Sequence, residues 1–359
     1  MKILSTVLAL FFAAAVSAPA VTPEQLAAIE QRAMRGDARA LYVLGQLYEI
    51  GDGVPADRNV ARCYFLSAAR LGSEDAKVKL GLAAAGELPS VADCGNGVKM
   101  ELVRIPAGTF MMGSPTSEEG RFSDESQVRV TISRPFALGK YEVTQAQWKA
   151  VMGTDPSKFK GDNLPVECVS WDDANAFCEK LTSRERAAGR LPANMKYTLP
   201  TEAQWEYACR AGTTTQFSFG NSASDLCRYG NFYDKSGDRK YDADYRKKNN
   251  WKLPPDTAWD DGCVETATVG RYRPNAWGLY DMHGNVWEWC ADYYNPELTA
   301  GTDPCRTTPG SGEYGSGRVG RGGGWSGPVR GCRSALRGNN SPGSRSGDLG
   351  FRVCAVQEH

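Results

Sequence analysis

Residues 321–352 read RGGGWSGPVRGCRSALRGNNSPGSRSGDLGFR, and the reading of this stretch decides the fold. Trp325, Cys332, Arg333, Arg337, Pro342, Leu349 and Phe351 are framework types that hold a backbone in place. Between them stand small polar positions: Ser326, Gly327, Gly331, Gly338, Asn339, Gly343, Ser344, Ser346, Gly347 and Asp348. Neither a helical nor a strand period runs through such a mixture, which is what an ordered, exposed loop region needs. The whole chain beyond Arg210 is similar, rich in Gly, Asn, Asp, Trp and Tyr with little period. It stays ordered only with staples: disulfides, ions, or buried aromatics with bonded polar tips.

Upstream, three amphipathic helices have clear start signals. These are Thr144-Gln145-Ala146-Gln147 before Trp148, Ser170-Trp171-Asp172-Asp173 before Phe177, and Thr201-Glu202-Ala203-Gln204 before Trp205. Leu102 to Ser114 reads as strand, turn, strand. Before it, Pro89, Asp93-Cys94 and Gly95-Asn96-Gly97 make residues 89–98 a turn-rich linker.

Residues 22–88 have helical periodicity and an internal repeat. Thr22-Pro23-Glu24-Gln25 is a capping box with proline at the first helical position, and Gly36 ends that helix. Gly36-Asp37-Ala38 recurs as Gly72-Ser73-Glu74-Asp75-Ala76, and Leu44-Gly45 as Leu80-Gly81. The segment resembles the Sel-like helical repeat, related to the tetratricopeptide repeat. With about one and a half repeats it reads as a capping appendage docked on the larger domain, and otherwise as an adaptor for a partner protein.

Residues 1–20 read as a secretory signal peptide: Lys2, an apolar run from Ile3 to Val16, and small residues ending Ser17-Ala18-Pro19-Ala20. The run is too short to span a bilayer. The expected location is the periplasm or the cell exterior, where the 11 cysteines are disulfide candidates first. Forty-two basic against 42 acidic residues show no basic excess, which argues against a nucleic-acid partner. Only His283 and His359 are present, which nearly excludes a zinc or iron site built on imidazoles.

Arg321-Gly322-Gly323-Gly324-Trp325, Cys332 to Arg337, Asn340-Ser341-Pro342 and Leu349-Gly350-Phe351-Arg352 together resemble the C-terminal signature of the formylglycine-generating enzyme (sulfatase-modifying factor) family. The resemblance covers nearly all of residues 99–356. It implies an α+β fold, a variant of the C-type lectin fold with low regular secondary structure, preceded here by the small all-α segment.

The resemblance also implies sites. Gly278 to Trp289 looks like the family's second calcium loop, with side chains of Asp281 and Glu288 and carbonyls of Gly284 and Val286 as ligands. Asn231 and Asp261, with the carbonyls of Phe232 and Cys263, match the first loop, although an insertion from Asp234 to Trp259 separates them. Otherwise Asp281 caps a turn and Glu288 pairs with an arginine of the C-terminal segment. The family's bridges map to Cys178 with Cys354 and to Cys209 with Cys332. Proximity of motif suggests Cys227 with Cys263 and Cys290 with Cys305, and Cys94 with Cys168 is a fifth possibility. Cys63 is then a small buried hydrophobe.

The family's oxidases hold copper on two cysteines five residues apart, and Gly327 stands where the first would be. One thiolate makes a poor copper(I) site. The preferred reading is therefore a non-catalytic module that binds a protein, peptide or glycan. Its ligand face, a segment that retroelements diversify in some family members, would hold Trp287, Trp325, Ser326, Arg330, Asn339, Arg345 and Asp348. The alternative is a copper-dependent oxidase with Cys332 as a ligand, and a third option is an accessory subunit of an envelope assembly.

Overall fold

The structure is a computed structural model, and it describes residues 21–73, 76, 79–80, 88–241, 243–248, 259–310 and 315–358. The signal segment lies outside the described residues. Two compact units divide the chain after Glu87.

The first unit holds helices α1 (Pro23–Met34), α2 (Ala38–Ile50) and α3 (Arg58–Arg70). Thr22 closes a capping box with Gln25, and Asp37 and Asp57 cap the next two helices through their carboxylates. Gly45 lets α2 and α3 approach closely, since a Cβ there would lie 2.5 Å from the Phe65 ring. Tyr48 stacks on Tyr64 beside it, with ring centroids 5.5 Å apart.

In the second unit twelve strands are described: β1 (Val91–Gly95), β2 (Val98–Ile105), β3 (Gly108–Met112), β4 (Val128–Ile132), β5 (Phe136–Gly139), β6 (Met195–Thr198), β7 (Trp287–Tyr293), β8 (Gly301–Thr302), β9 (Arg318–Arg321), β10 (Gly338–Asn340), β11 (Leu349–Gly350) and β12 (Cys354–Gln357). They form sheets ordered β1-β2-β5-β12-β6, β10-β9-β7-β11 and β3-β4-β8. The expected linker at 89–98 is in fact the opening hairpin: Val91 to Gly95 pair antiparallel with Val98 to Glu101. Gly95-Asn96-Gly97, all at positive φ, is its turn. Leu102 to Ser114 is strand, turn, strand as expected. Its halves serve different sheets, β2 against β1 and β5, β3 against β4.

Helices α4 (Gln145–Met152), α5 (Trp171–Ala187) and α6 (Glu202–Arg210) begin with complete capping boxes at Thr144, Ser170 and Thr201. One core gathers Trp148, Phe177, Leu181, Trp289 and Phe351, and a second gathers Phe136, Trp205, Leu279 and Val319. The insertion carries two short helices, α7 (Lys235–Lys240) and α8 (Ala243–Lys248). The last strand, β12, lies between β5 and β6, and β11 runs parallel to β7. Residues 321–352 are thereby fixed at both ends.

Candidate functional site

Four arginines of the C-terminal segment are buried, each against glutamate. Arg321 reaches Glu206 at 2.6 Å and Glu202 at 3.1 Å. Arg333 forks onto Glu125 at 2.5 and 2.8 Å and touches Glu118 at 2.7 Å. Arg337 forks onto Glu202 at 2.6 and 2.8 Å. Arg352 forks onto Glu288 with two contacts of 2.6 Å. Paired guanidinium and carboxylate planes satisfy several polar atoms at once, the geometry a buried charge requires.

Between these anchors the backbone bears the expected ligand residues, and the structure groups only some of them. Ser326 Oγ donates to Asp348 at 2.6 Å. The half-buried Trp287 lies beside them on a glycine floor: a Cβ on Gly324 would sit 3.2 Å from its ring, and one on Gly338 3.0 Å. Asn339 is exposed on β10 next to that floor. Arg330 lies elsewhere, over the Phe122 ring at 5.7 Å, and Arg345 pairs with Asp173 at 2.6 Å. Of the two places open to Trp325 from the sequence, framework and ligand face, the structure favours the framework. It is buried, its indole N–H donates to the Gly347 carbonyl at 2.9 Å, and its ring meets Phe159 edge-on.

The two expected calcium loops meet at Asn285, which lies within Gly278 to Trp289 and was not among the expected ligands. Its N–H donates to the Asn231 carbonyl at 2.7 Å, and its amide bonds Glu142 Oε2 at 2.6 Å and both polar backbone groups of Ala267. Gly284 must be glycine, since at φ 121° a Cβ would lie 2.2 Å from the Asn231 carbonyl oxygen. Asp281 at φ 58° accepts from Gly270 N through Oδ2, while Oδ1 is buried with no hydrogen-bond partner. Asn231 also keeps a buried Oδ1 without a partner.

Glu288 differs from the ligand expectation: Arg352 and the Trp205 indole N–H, at 2.7 Å, occupy its oxygens. That is the arginine pairing the sequence also allowed. Asp261 accepts from Cys263 N at 2.7 Å and the Tyr272 hydroxyl at 2.5 Å. Phe232 is buried with its ring edge-on to Trp259, and Val286 is fully buried.

Burial, then the charges of Asp281 and Glu288, push the Glu142 carboxyl well above its ordinary range. Burial likewise pushes Asp281 up to about 6. Three buried carboxylates thus share one arginine. Glu142 was missed from sequence because Tyr141-Glu142-Val143 carries no motif; only burial reveals it.

All eleven cysteines carry free thiols in this structure. Cys178 and Cys354 are buried close enough for the charge of one to disfavour that of the other. Cys227 and Cys263 both feel Asp261, and Cys290 and Cys305 both feel Asp292. Cys209 faces the Met282 carbonyl at 3.6 Å and His283 Nε2 at 3.8 Å, with Ser334 beside it in place of Cys332. Cys63, expected to be buried, is exposed. Burial pushes the Cys332 thiol up to about 12 with no cation to oppose it.

His283 is fully buried, and burial pulls it down to about 4. Ser218 N donates to Nε2 at 3.1 Å, leaving Nδ1 to donate to the Cys332 carbonyl at 2.8 Å. The lowered value means that its contribution is full above pH 6.5 and is lost as pH falls toward 4, where only the unfolded chain takes up the proton. The loss is about 3 kcal/mol. Urea unfolding across this window should show a flatter pH slope in H283N than in the wild type; equal slopes would overturn the assignment.

Curled mixed sheets, a helix pair capped before Trp148 and Phe177, and a C-terminal loop held by buried arginines define a lectin-like domain of the formylglycine-generating class. The chain belongs to that family: residues 92–357 match the sulfatase-modifying factor enzyme 1-like domain. It is 30% identical over 302 residues to the chaperone protein LppX of Paenibacillus barcinonensis, covering 76% of this chain and 95% of that protein. It is also 30% identical over 310 residues to the formylglycine-generating enzyme of Streptomyces coelicolor, covering 70% and 88%. Among solved structures, the Treponema denticola variable protein 1 superposes with a TM-score of 0.58 at 29% identity, over 74% of this chain and 97% of that one. The helical unit lies outside the matched residues.

Proposed function

We propose that this protein is a non-catalytic binding module, outside the cytoplasm, whose C-terminal face holds a protein, peptide or glycan ligand. The observation that carries the reading is the division of labour in residues 321–352. Four buried arginines pin the backbone, while Ser326, Asn339 and Asp348 stay wholly or partly exposed beside Trp287. Side chains on such a face can change without unfolding the domain. The likeness to a protein named as variable supports it.

The copper oxidase fits the residues poorly. Copper(I) selects thiolates, and Gly327 supplies no sulfur to accompany the buried Cys332. Calcium fits better, because it accepts carbonyl and amide oxygens together with single carboxylates. Asp281 Oδ1 and Asn231 Oδ1 are buried oxygens without partners on the loops expected to hold it.

Purified protein given copper, oxygen and a Cys-x-Pro-x-Arg peptide is expected to form no aldehyde. Its capture of ligands on glycan arrays and from secreted-protein fractions should be altered by S326A/N339A/D348A at nearly constant melting temperature. Aldehyde above a no-copper control, or capture untouched by the triple variant, would reject the reading in favour of the oxidase or of another surface.

A further inference from the structure

Arg239, Arg321, Arg333, Arg337, Arg345 and Arg352 of the large unit each meet a carboxylate. One cavity instead gathers several arginines with little carboxylate to answer them. It is open, about 380 Å3 in volume, and lined by Cys227, Arg228, Asp261, Arg271, Tyr272 and Arg273. The N–H of Arg273 donates to the Arg228 carbonyl at 2.8 Å, which sets the two chain segments side by side. Arg271 and Arg273 are both exposed on either side of the buried Tyr272.

The acids nearby do not neutralise these arginines. Asp261 gives its oxygens to the Tyr272 hydroxyl and to Cys263 N. Arg271 donates to the Asp261 backbone carbonyl at 2.7 Å rather than to its carboxylate. Arg228 reaches Asp225 only at 3.5 Å, in a pair that is largely exposed. Among the described residues neither Arg271 nor Arg273 forms an ion pair with a carboxylate. Three guanidinium groups therefore face one committed carboxylate in a protein whose net charge is zero.

Like charges gathered in one concavity repel each other and raise the local concentration of anions. Guanidinium forks match the oxygen spacing of phosphate and sulfate, and bond them in pairs. The volume is at the lower end of small-molecule sites, room for the anionic group and a modest substituent. We propose that this cavity binds a phosphate or sulfate group, as the free oxyanion or as a monoester. None of its residues belongs to the 321–352 face, so it is a site separate from that face, although Asp261 also lies on the first expected calcium loop.

The test is titration calorimetry on the full chain at low ionic strength, with inorganic phosphate, inorganic sulfate and phenyl phosphate as probes. Saturable one-site binding is expected, weakening as sodium chloride is raised. R271A/R273A should lose at least about tenfold in affinity, the equivalent of one charge-assisted contact. Its melting temperature should be unchanged, because both side chains lie at the surface. R129A, an exposed arginine on β4, should bind like the wild type. Tighter binding of phenyl phosphate identifies a monoester site, and equal binding a site for the free ion. Should the double variant misfold, R273A alone serves, since its side chain holds no hydrogen bond among the described residues. Absence of saturable binding, or affinity unchanged in these variants, overturns the proposal.

Discussion

Replacing Arg333 by methionine should lower the unfolding free energy by about 3–5 kcal/mol, among the largest effects open to a single substitution in this domain. Arg333 and Glu125 are both fully buried. Burial pushes the Glu125 carboxyl up, but the Arg333 guanidinium and the Ser114 hydroxyl outweigh it and hold the group below its ordinary range. Without the arginine, Glu125 and the nearly buried Glu118 keep their desolvation cost and lose the attraction that offset it. R333M/E125L removes the stranded charge as well and should recover at least about half of the loss. R345A breaks a pair of comparable length whose arginine is half-exposed, and should cost under about 1 kcal/mol. Urea midpoints of the three variants decide the matter. If R333M is no worse than R345A, the buried pairs are not what fixes the C-terminal segment.

The contrast between those pairs shows what the sequence can convey. A capping box closes within four residues, so Thr144, Ser170 and Thr201 announced their helices from local chemistry alone. The partner of Arg333 is 208 residues away in Glu125, and that of Arg352 is 64 away in Glu288. An arginine in a motif says that a carboxylate is needed without saying which. Gly95-Asn96-Gly97 was legible as a turn, yet whether a turn joins two strands or two domains depends on what its flanks pair with.

Trp325 illustrates the same limit. Tryptophan suits an exposed binding face and a framework equally well, and only its bond to Gly347 and its contact with Phe159 place it in the framework. Asn285 lies inside the Gly278 to Trp289 motif, but its role follows from two loops converging on it, 54 residues apart at Asn231. The fold was therefore readable from motifs. The site was readable as a set of loops, and the connections between them were not.

Chelation should lower the melting temperature by about 5–10 °C if the loops at Asp281 and Asn231 hold calcium. Glu142, Asp281 and Glu288 are buried around one arginine, Arg352, and an oxygen of Asp281 has no partner. A divalent cation there would relieve both the excess negative charge and the unsatisfied oxygen. An ion that binds only the folded state at a hundred times its Kd contributes about 2.7 kcal/mol. In a domain of this size each kcal/mol moves the midpoint by about 2–4 °C. The wild type should therefore melt lower in EGTA than in excess calcium. D281A/N231A should melt at one temperature in both, having lost two oxygens of the loops. Glu288 must stay in place, because removing it would strand the buried Arg352 and destabilise the chain whether or not an ion binds. A wild-type midpoint that does not move between EGTA and calcium would sink the assignment. The excess charge would then have to be met by protons on Glu142 and Asp281, the two carboxyls already pushed upward.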